Sequence, residues 1–119
     1  MKSKIDYKRP TAMMLGRWQP WHFGHQELFK KALEKTGQVI IMIRDMPSSK
    51  DNPFDVKKVE EKITEALASY HGLYEIMVVP NITNICYGRG VGYKIEEIEL
   101  PKDIQEISAT KIREKLNAI

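Results

Sequence analysis

TAMMLGRWQPWHFGHQELFKKALEKTGQVIIMIR, residues 11–44, holds the pattern from which the fold is read. Thr11 to Gly16 is short, apolar and closed by glycine, which reads as a buried strand. Arg17 to His25 is rich in turn-formers and aromatic residues. From Gln26 to Thr36, Leu28, Phe29, Ala32 and Leu33 fall on one helical face, with Lys30, Lys31, Glu34 and Lys35 on the other. This is an amphipathic helix, and Gly37 stands where a left-handed residue would cap its end. Val39-Ile40-Ile41-Met42-Ile43 is an unbroken apolar run, the signature of a strand covered on both faces in a parallel sheet.

Outward from this unit the alternation continues. Asp45 to Phe54 is a polar loop with two prolines and two serines, and Asp55 suits the N-cap of a helix. Val56, Val59, Ile63, Ala66, Leu67 and Tyr70 then recur at helical spacing, ending near His71-Gly72. Tyr74 to Val79 reads as a third buried strand, stopped by Pro80. The order β-α-β-α-β predicts an α/β fold: a Rossmann-like open parallel sheet with right-handed crossovers and helices on both faces. Between 81 and 107, Ile85-Cys86-Tyr87 and Ile95 to Leu100 read as short strands around a glycine-rich turn, Gly88 to Gly92. Ser108 is a suitable N-cap for a last helix holding Ile112 and Leu116. With 119 residues, residues 1–119 form one compact domain behind a loose lead-in, residues 1–10, since domains run about 100–200 residues.

Composition narrows the function classes. Apolar residues make up 42% and charged residues 29%, which excludes wholesale disorder. The single cysteine, Cys86, excludes a disulfide within the chain and a cysteine-rich zinc site. No apolar run approaches the ~20 residues of a membrane span, and Met1 to Pro10 has no apolar core of a secretory signal, so the expectation is a cytoplasmic protein. The net charge is +3, from 19 Lys and Arg against 16 Asp and Glu. That small excess suits an anionic small molecule and argues against nucleic acid, whose ligands carry a clustered basic stripe.

Ligands of open α/β sheets bind beyond the carboxyl ends of the strands. The loop after the first strand holds Arg17, two tryptophans and two histidines three residues apart, the second at a helix start. Imidazoles, a guanidinium and free helix N–H groups in one loop make an anion site. A metal site needs a third ligand. His71 and Cys86 qualify only by default, and His71 sits at the wrong end of its helix, so no protein-held metal is expected. Gly88 to Gly92 lacks the last glycine of a dinucleotide fingerprint and precedes no clear helix.

The small strand, Gly16-Arg17, Gln19-Pro20 and His22-Phe23-Gly24-His25 opening a helix resemble the first signature of the HxGH nucleotidylyltransferase superfamily. Ile107-Ser108-Ala109-Thr110-Lys111-Ile112-Arg113 resembles its second, ISxTxxR. Lys50-Asp51-Asn52-Pro53-Phe54 is similar to a lysine-bearing loop of the archaeal-type nicotinamide mononucleotide adenylyltransferases, to which Gly16–His25 is also closest. In length the chain is more similar to compact glycerol-phosphate cytidylyltransferases, but it lacks the arginine those carry just before Ser108.

The resemblance implies transfer of a nucleoside monophosphate, AMP from ATP, onto a phosphate-bearing small molecule, with release of pyrophosphate. Cytidylyl transfer from CTP is the alternative, and a silent nucleotide-binding module acting beside another enzyme is a third. It implies catalytic roles for His22, His25, Lys50 and Arg113. Nucleotide contacts would come from Gly16, Arg17, Trp18, His22, His25, Ser108, Thr110 and Arg113. Lys50 would close over the β- and γ-phosphates, while Ser108 and Thr110 would donate at a helix N-terminus. Mg²⁺ would accompany the nucleotide, and the chain would assemble as a homo-oligomer.

Overall fold

A computed structural model describes residues 5–90, 92–106 and 112–113. Three strands form a parallel sheet in the order β1-β2-β3: β1 is Ala12–Gly16, β2 Val39–Arg44 and β3 Tyr74–Val79. Ala12 pairs with Val39 and Val39 with Tyr74, so the register runs level across the sheet. Helix α1, Phe23–Thr36, joins β1 to β2, and α2, Val56–Ala66, leads through a 3-10 turn, Ala68–Tyr70, into β3. A single helical turn, α3, spans Lys102–Gln105. The parallel α/β sheet is the one the sequence predicts.

Alternation along the strands explains the core. Met14, Val39, Ile41 and Ile43 point to one face, where they meet Phe29 and Ala32 of α1 and Val59, Ile63 and Leu67 beside or within α2. Phe29 is fully buried and meets the rings of Tyr70 and Tyr74 edge-on, at 5.2 and 6.0 Å. Both crossover helices lie on this one face, not one on each face as the sequence reading expected, because both crossovers step in the same direction across the sheet and right-handed crossovers then place them together. The other face, with Met13, Ile40, Met42 and Glu75, is flanked by the N-terminal segment. There the Tyr7 hydroxyl donates to Glu75 Oε2 at 2.6 Å. The lead-in is tied down by the buried Gln38, whose amide donates to Asp6 O, Arg9 O and Thr11 Oγ1 and accepts from Asp6 N–H.

The element ends follow their caps. The Asp55 carboxylate accepts from Lys58 N–H at 2.8 Å and opens α2. Gly37 takes φ 86°, and its N–H closes α1 onto Leu33 O at 2.7 Å. Two expectations shift. Helix α1 starts at Phe23, not Gln26, because His22 caps it. The segments expected as strands, 85–87 and 95–100, are irregular, with Ile85, Tyr87 and Ile95 exposed. Their β-branched composition favours a strand only where a partner edge is at hand, and none among the described residues pairs with them. Among the described residues no helix is long and apolar enough to cross a membrane. The expected N-cap Ser108 and Leu116 lie outside the described residues.

Candidate active site

The loop leaving β1 curls back over the strand end. Trp18 is buried with φ 53°, a left-handed conformation rarely taken by a residue with a side chain. Its indole N–H donates to Met42 O at 3.0 Å, fixing the ring above Gly16. A Cβ at Gly16 would lie 2.8 Å from Trp18 Cζ2, so only glycine fits beneath it. The ring edge of Trp18 meets His25, with centroids 4.7 Å apart, and Trp21 stands 5.5 Å from the same imidazole.

His22 and His25 form a reciprocal cap at the start of α1. His22 Nδ1 accepts from the N–H groups of Gly24 (3.0 Å) and His25 (3.4 Å), and His25 Nδ1 accepts from His22 N–H (3.1 Å). A ring nitrogen that accepts carries no proton, so the proton of each neutral imidazole sits on Nε2. The two rings stack, with centroids 3.6 Å apart. Gly24 is required beneath them, since a Cβ there would stand 2.8 Å from His22 Cε1. Burial holds the His22 imidazole below its ordinary pKa. Burial, and then the charge of its neighbour, push His25 down to about 3. At neutral pH the pair therefore acts as two neutral Nε2–H donors at a helix N-terminus, not as cations.

Two loops meet around this pair. Gln19, 5% exposed, grips the Phe54 backbone from both sides: its Nε2 donates to Phe54 O at 2.8 Å and its Oε1 accepts from Phe54 N–H at 3.0 Å. Arg17 Nη1 reaches Asn52 Oδ1 at 3.3 Å, while the Asn52 side chain donates to Ser49 Oγ at 3.1 Å. Arg113, helical and buried, donates from Nη1 to Gln19 O. Gly16, Arg17, Trp18, Gln19, His25 and Arg113 line one cavity of about 200 Å³. Among the described residues its lining has two guanidiniums, a neutral imidazole donor and no carboxylate, a donor set that suits an anion.

The structure thus brings together Gly16, Arg17, Trp18, His25 and Arg113, although the last is remote in sequence. His22 borders a neighbouring, more open hollow of about 510 Å³, with Trp21, Phe23, Gln26, Lys30 and Ala66. Lys50 is exposed on the β2–α2 loop and lines neither. Ser108 and Thr110 lie outside the described residues. Among those residues no cluster of three or more His, Cys, Asp or Glu stands ready for a metal. Sequence reading missed Gln19 and Asn52 as buried connectors. Their signal was the pairing of Gln-Pro in one loop with Asn-Pro-Phe in the other, which composition alone marks only as polar turns.

Over 73 residues, 60% of the chain, the sequence is 37% identical to a nicotinamide-nucleotide adenylyltransferase of Methanococcus vannielii, covering 42% of that protein. It is 34% identical over the same length to one from Methanosphaerula palustris, covering 44% of it. Over 132 aligned positions, 88% of the chain and 77% of the relative, it is 27% identical to the Methanococcus maripaludis enzyme of that name. In the first two matches, the chain spans less than half the length of the curated relative. The cytidylyltransferase-like family profile matches residues 13–83, which include all of β1 but Ala12, the histidine cap, the Gln19–Phe54 clamp and β3, and the chain belongs to that family.

Proposed function

We propose that this chain transfers a nucleoside monophosphate, AMP from ATP, onto a phosphate-bearing small molecule. The observation that carries the reading is the His22–His25 cap: two neutral imidazoles with Nε2–H free, at the head of α1, next to a cavity walled by Arg17 and Arg113. A phosphate oxygen of the acceptor attacks the α-phosphorus in line. The bond from that phosphorus to the bridging oxygen breaks, and pyrophosphate leaves with the electron pair. Such a transfer needs positioned donors for the charge spread over the phosphoryl oxygens, not a protein nucleophile.

In this reading His25 donates to the α-phosphate region, and His22 positions His25 and donates from the neighbouring hollow. Arg17 and Arg113 hold phosphate oxygens, and Gly16 and Trp18 shape the cavity wall. Lys50 comes in from its loop to the β- and γ-phosphates, with Ser108 and Thr110 donating from the C-terminal signature. Among the described residues the cavity lining offers arginines and no carboxylate, a donor set suited to an anion. The divalent ion, Mg²⁺, therefore enters as part of the magnesium–nucleotide substrate. The names of the relatives make a nicotinamide nucleotide the first acceptor to try. We place the reaction in the cytoplasm and the working form in a homo-oligomer, which light scattering on the purified chain tests directly.

The deciding experiment follows pyrophosphate release with Mg–ATP or Mg–CTP in the presence of nicotinamide mononucleotide. ATP-dependent release supports adenylyl transfer, and CTP-dependent release transfers the reading to cytidylyl chemistry. Binding of ATP without release under any acceptor overturns the enzyme reading in favour of a nucleotide-binding module.

A further inference from the structure

Gln19, a polar residue buried to 5% exposure, ties two distant parts of the chain together, the Phe54 backbone and the Arg113 guanidinium. Its side-chain amide closes a two-point clamp on the Phe54 backbone. Its main-chain carbonyl accepts from the guanidinium of Arg113, 94 residues away. The loop it clamps carries Asn52, which engages Arg17. A buried amide with both its donor and its acceptor satisfied by the N–H and C=O of one residue fixes the two peptide units that flank that residue, because a tilt of either breaks one of the two bonds. The hydrogen bond from Arg17 to Asn52 is long, at 3.3 Å, and so does little to fix the loop by itself.

Resting on the nucleotidyl-transfer reading above, we propose that Gln19 is the positioning residue of the site: it locks the loops after β1 and β2 together so that Arg17 and Arg113 converge on one polyphosphate. The prediction is sharper than a general stabilising role. Glutamate at this position is isosteric, but as a carboxylate it cannot donate to Phe54 O and instead presents negative charge to that carbonyl. When protonated it donates and accepts much as the amide does. Burial raises the pKa of such a carboxyl, against the opposite pull of the Arg17 and Arg113 guanidiniums that share the cavity.

The test is calorimetric binding of inorganic tripolyphosphate to wild type and Gln19→Glu at pH 8 and pH 5.5, with melting temperatures recorded alongside. At pH 8 the variant is expected to bind roughly tenfold or more weakly, the scale of a small misplacement of paired binding groups. At pH 5.5 it should return to within about twofold of wild type at that pH, as the protonated carboxyl restores the clamp. In an Arg113→Ala background, Gln19→Glu should cost little further affinity, a coupling that simple loss of stability does not produce. Equal binding by both proteins at pH 8, a loss that persists at pH 5.5, or full additivity with Arg113→Ala overturns the role of Gln19. Failure of wild type itself to bind tripolyphosphate overturns the transfer reading instead. Should the variant fold poorly at pH 8, Gln19→Met, which keeps the side chain's length but can neither donate to nor accept from Phe54, is expected to weaken binding in the same direction at both pH values, and unchanged binding there also overturns the proposal.

Discussion

The imidazoles of His22 and His25 lie stacked 3.6 Å apart, each with its Nδ1 occupied by a backbone N–H of the other's segment. One histidine thus does two separable things: its Nδ1 caps a helix, and its Nε2–H faces outward. Asparagine is among the best N-cap residues but has no counterpart to Nε2. His22→Asn should therefore keep thermal stability within about 0.5 kcal/mol, whereas His22→Ala should lose about 1 kcal/mol. Both should lower turnover by roughly 10²–10³, the scale for removing one donor to developing charge. Melting curves beside pyrophosphate-release rates check this, and an active His22→Asn protein would remove the imidazole from the chemistry.

Acid should destabilise the fold through the same pair. The folded state holds His25 down to about 3, below its ordinary value of 6.5, and His22 is lowered too. The unfolded chain therefore binds protons first as pH falls. The contribution is fully present above about pH 6.5 and is lost progressively below it, at up to about 1.4 kcal/mol per unit for one fully shifted group. Urea midpoints measured between pH 6.5 and 5 should fall for wild type, and less steeply for His25→Gln. Parallel slopes for the two proteins would show that His25 is not buried neutral. Trp18 and Trp21, both within 5.5 Å of His25, give a fluorescence readout of the same event.

The steric relation of Gly16 to Trp18 yields a stability test with an internal control. A methyl at Gly16 would press on a buried indole that cannot retreat without giving up its bond to Met42 O. Gly16→Ala should cost about 1–3 kcal/mol, as overpacking does. Gly90→Ala meets nothing within 4 Å and should lie within about 0.5 kcal/mol of wild type, as surface changes do. Chemical denaturation of both variants measures the contrast.

Much of the scaffold is legible in the sequence because its signals are local. The run Val39 to Ile43 and the face Leu28-Phe29-Ala32-Leu33 carry their own periodicity, and Gly37 and Asp55 cap as their chemistry demands. The cavity is only half legible. Arg17 and His25 stand in one recognisable loop, but the burial of Gln19 and Asn52 depends on two loops meeting 35 residues apart. No local pattern encodes such a meeting, and a glutamine before a proline reads as an exposed turn. Residues 85–87 and 95–100 mislead for the opposite reason: their composition is strand-like, but a strand exists only through its pairing.

Gly24 offers the most discriminating case, because two effects there oppose each other. Replacing a helical glycine by alanine ordinarily stabilises by up to about 1 kcal/mol, through lost chain entropy in the unfolded state. Here the new Cβ would stand 2.8 Å from His22 Cε1 and 3.1 Å from Nδ1, so the imidazole must leave the Gly24 and His25 N–H groups it caps. Losing that cap costs about 1 kcal/mol, with strain added, so Gly24→Ala should be net destabilising as well as inactive. In a His22→Ala background neither the ring nor its cap remains to be lost, and the same substitution should become stabilising. A double-mutant cycle by urea denaturation reads this reversal of sign. Destabilisation of equal size in both backgrounds would place the obstacle elsewhere than His22, and the glycine of the motif would need another reason.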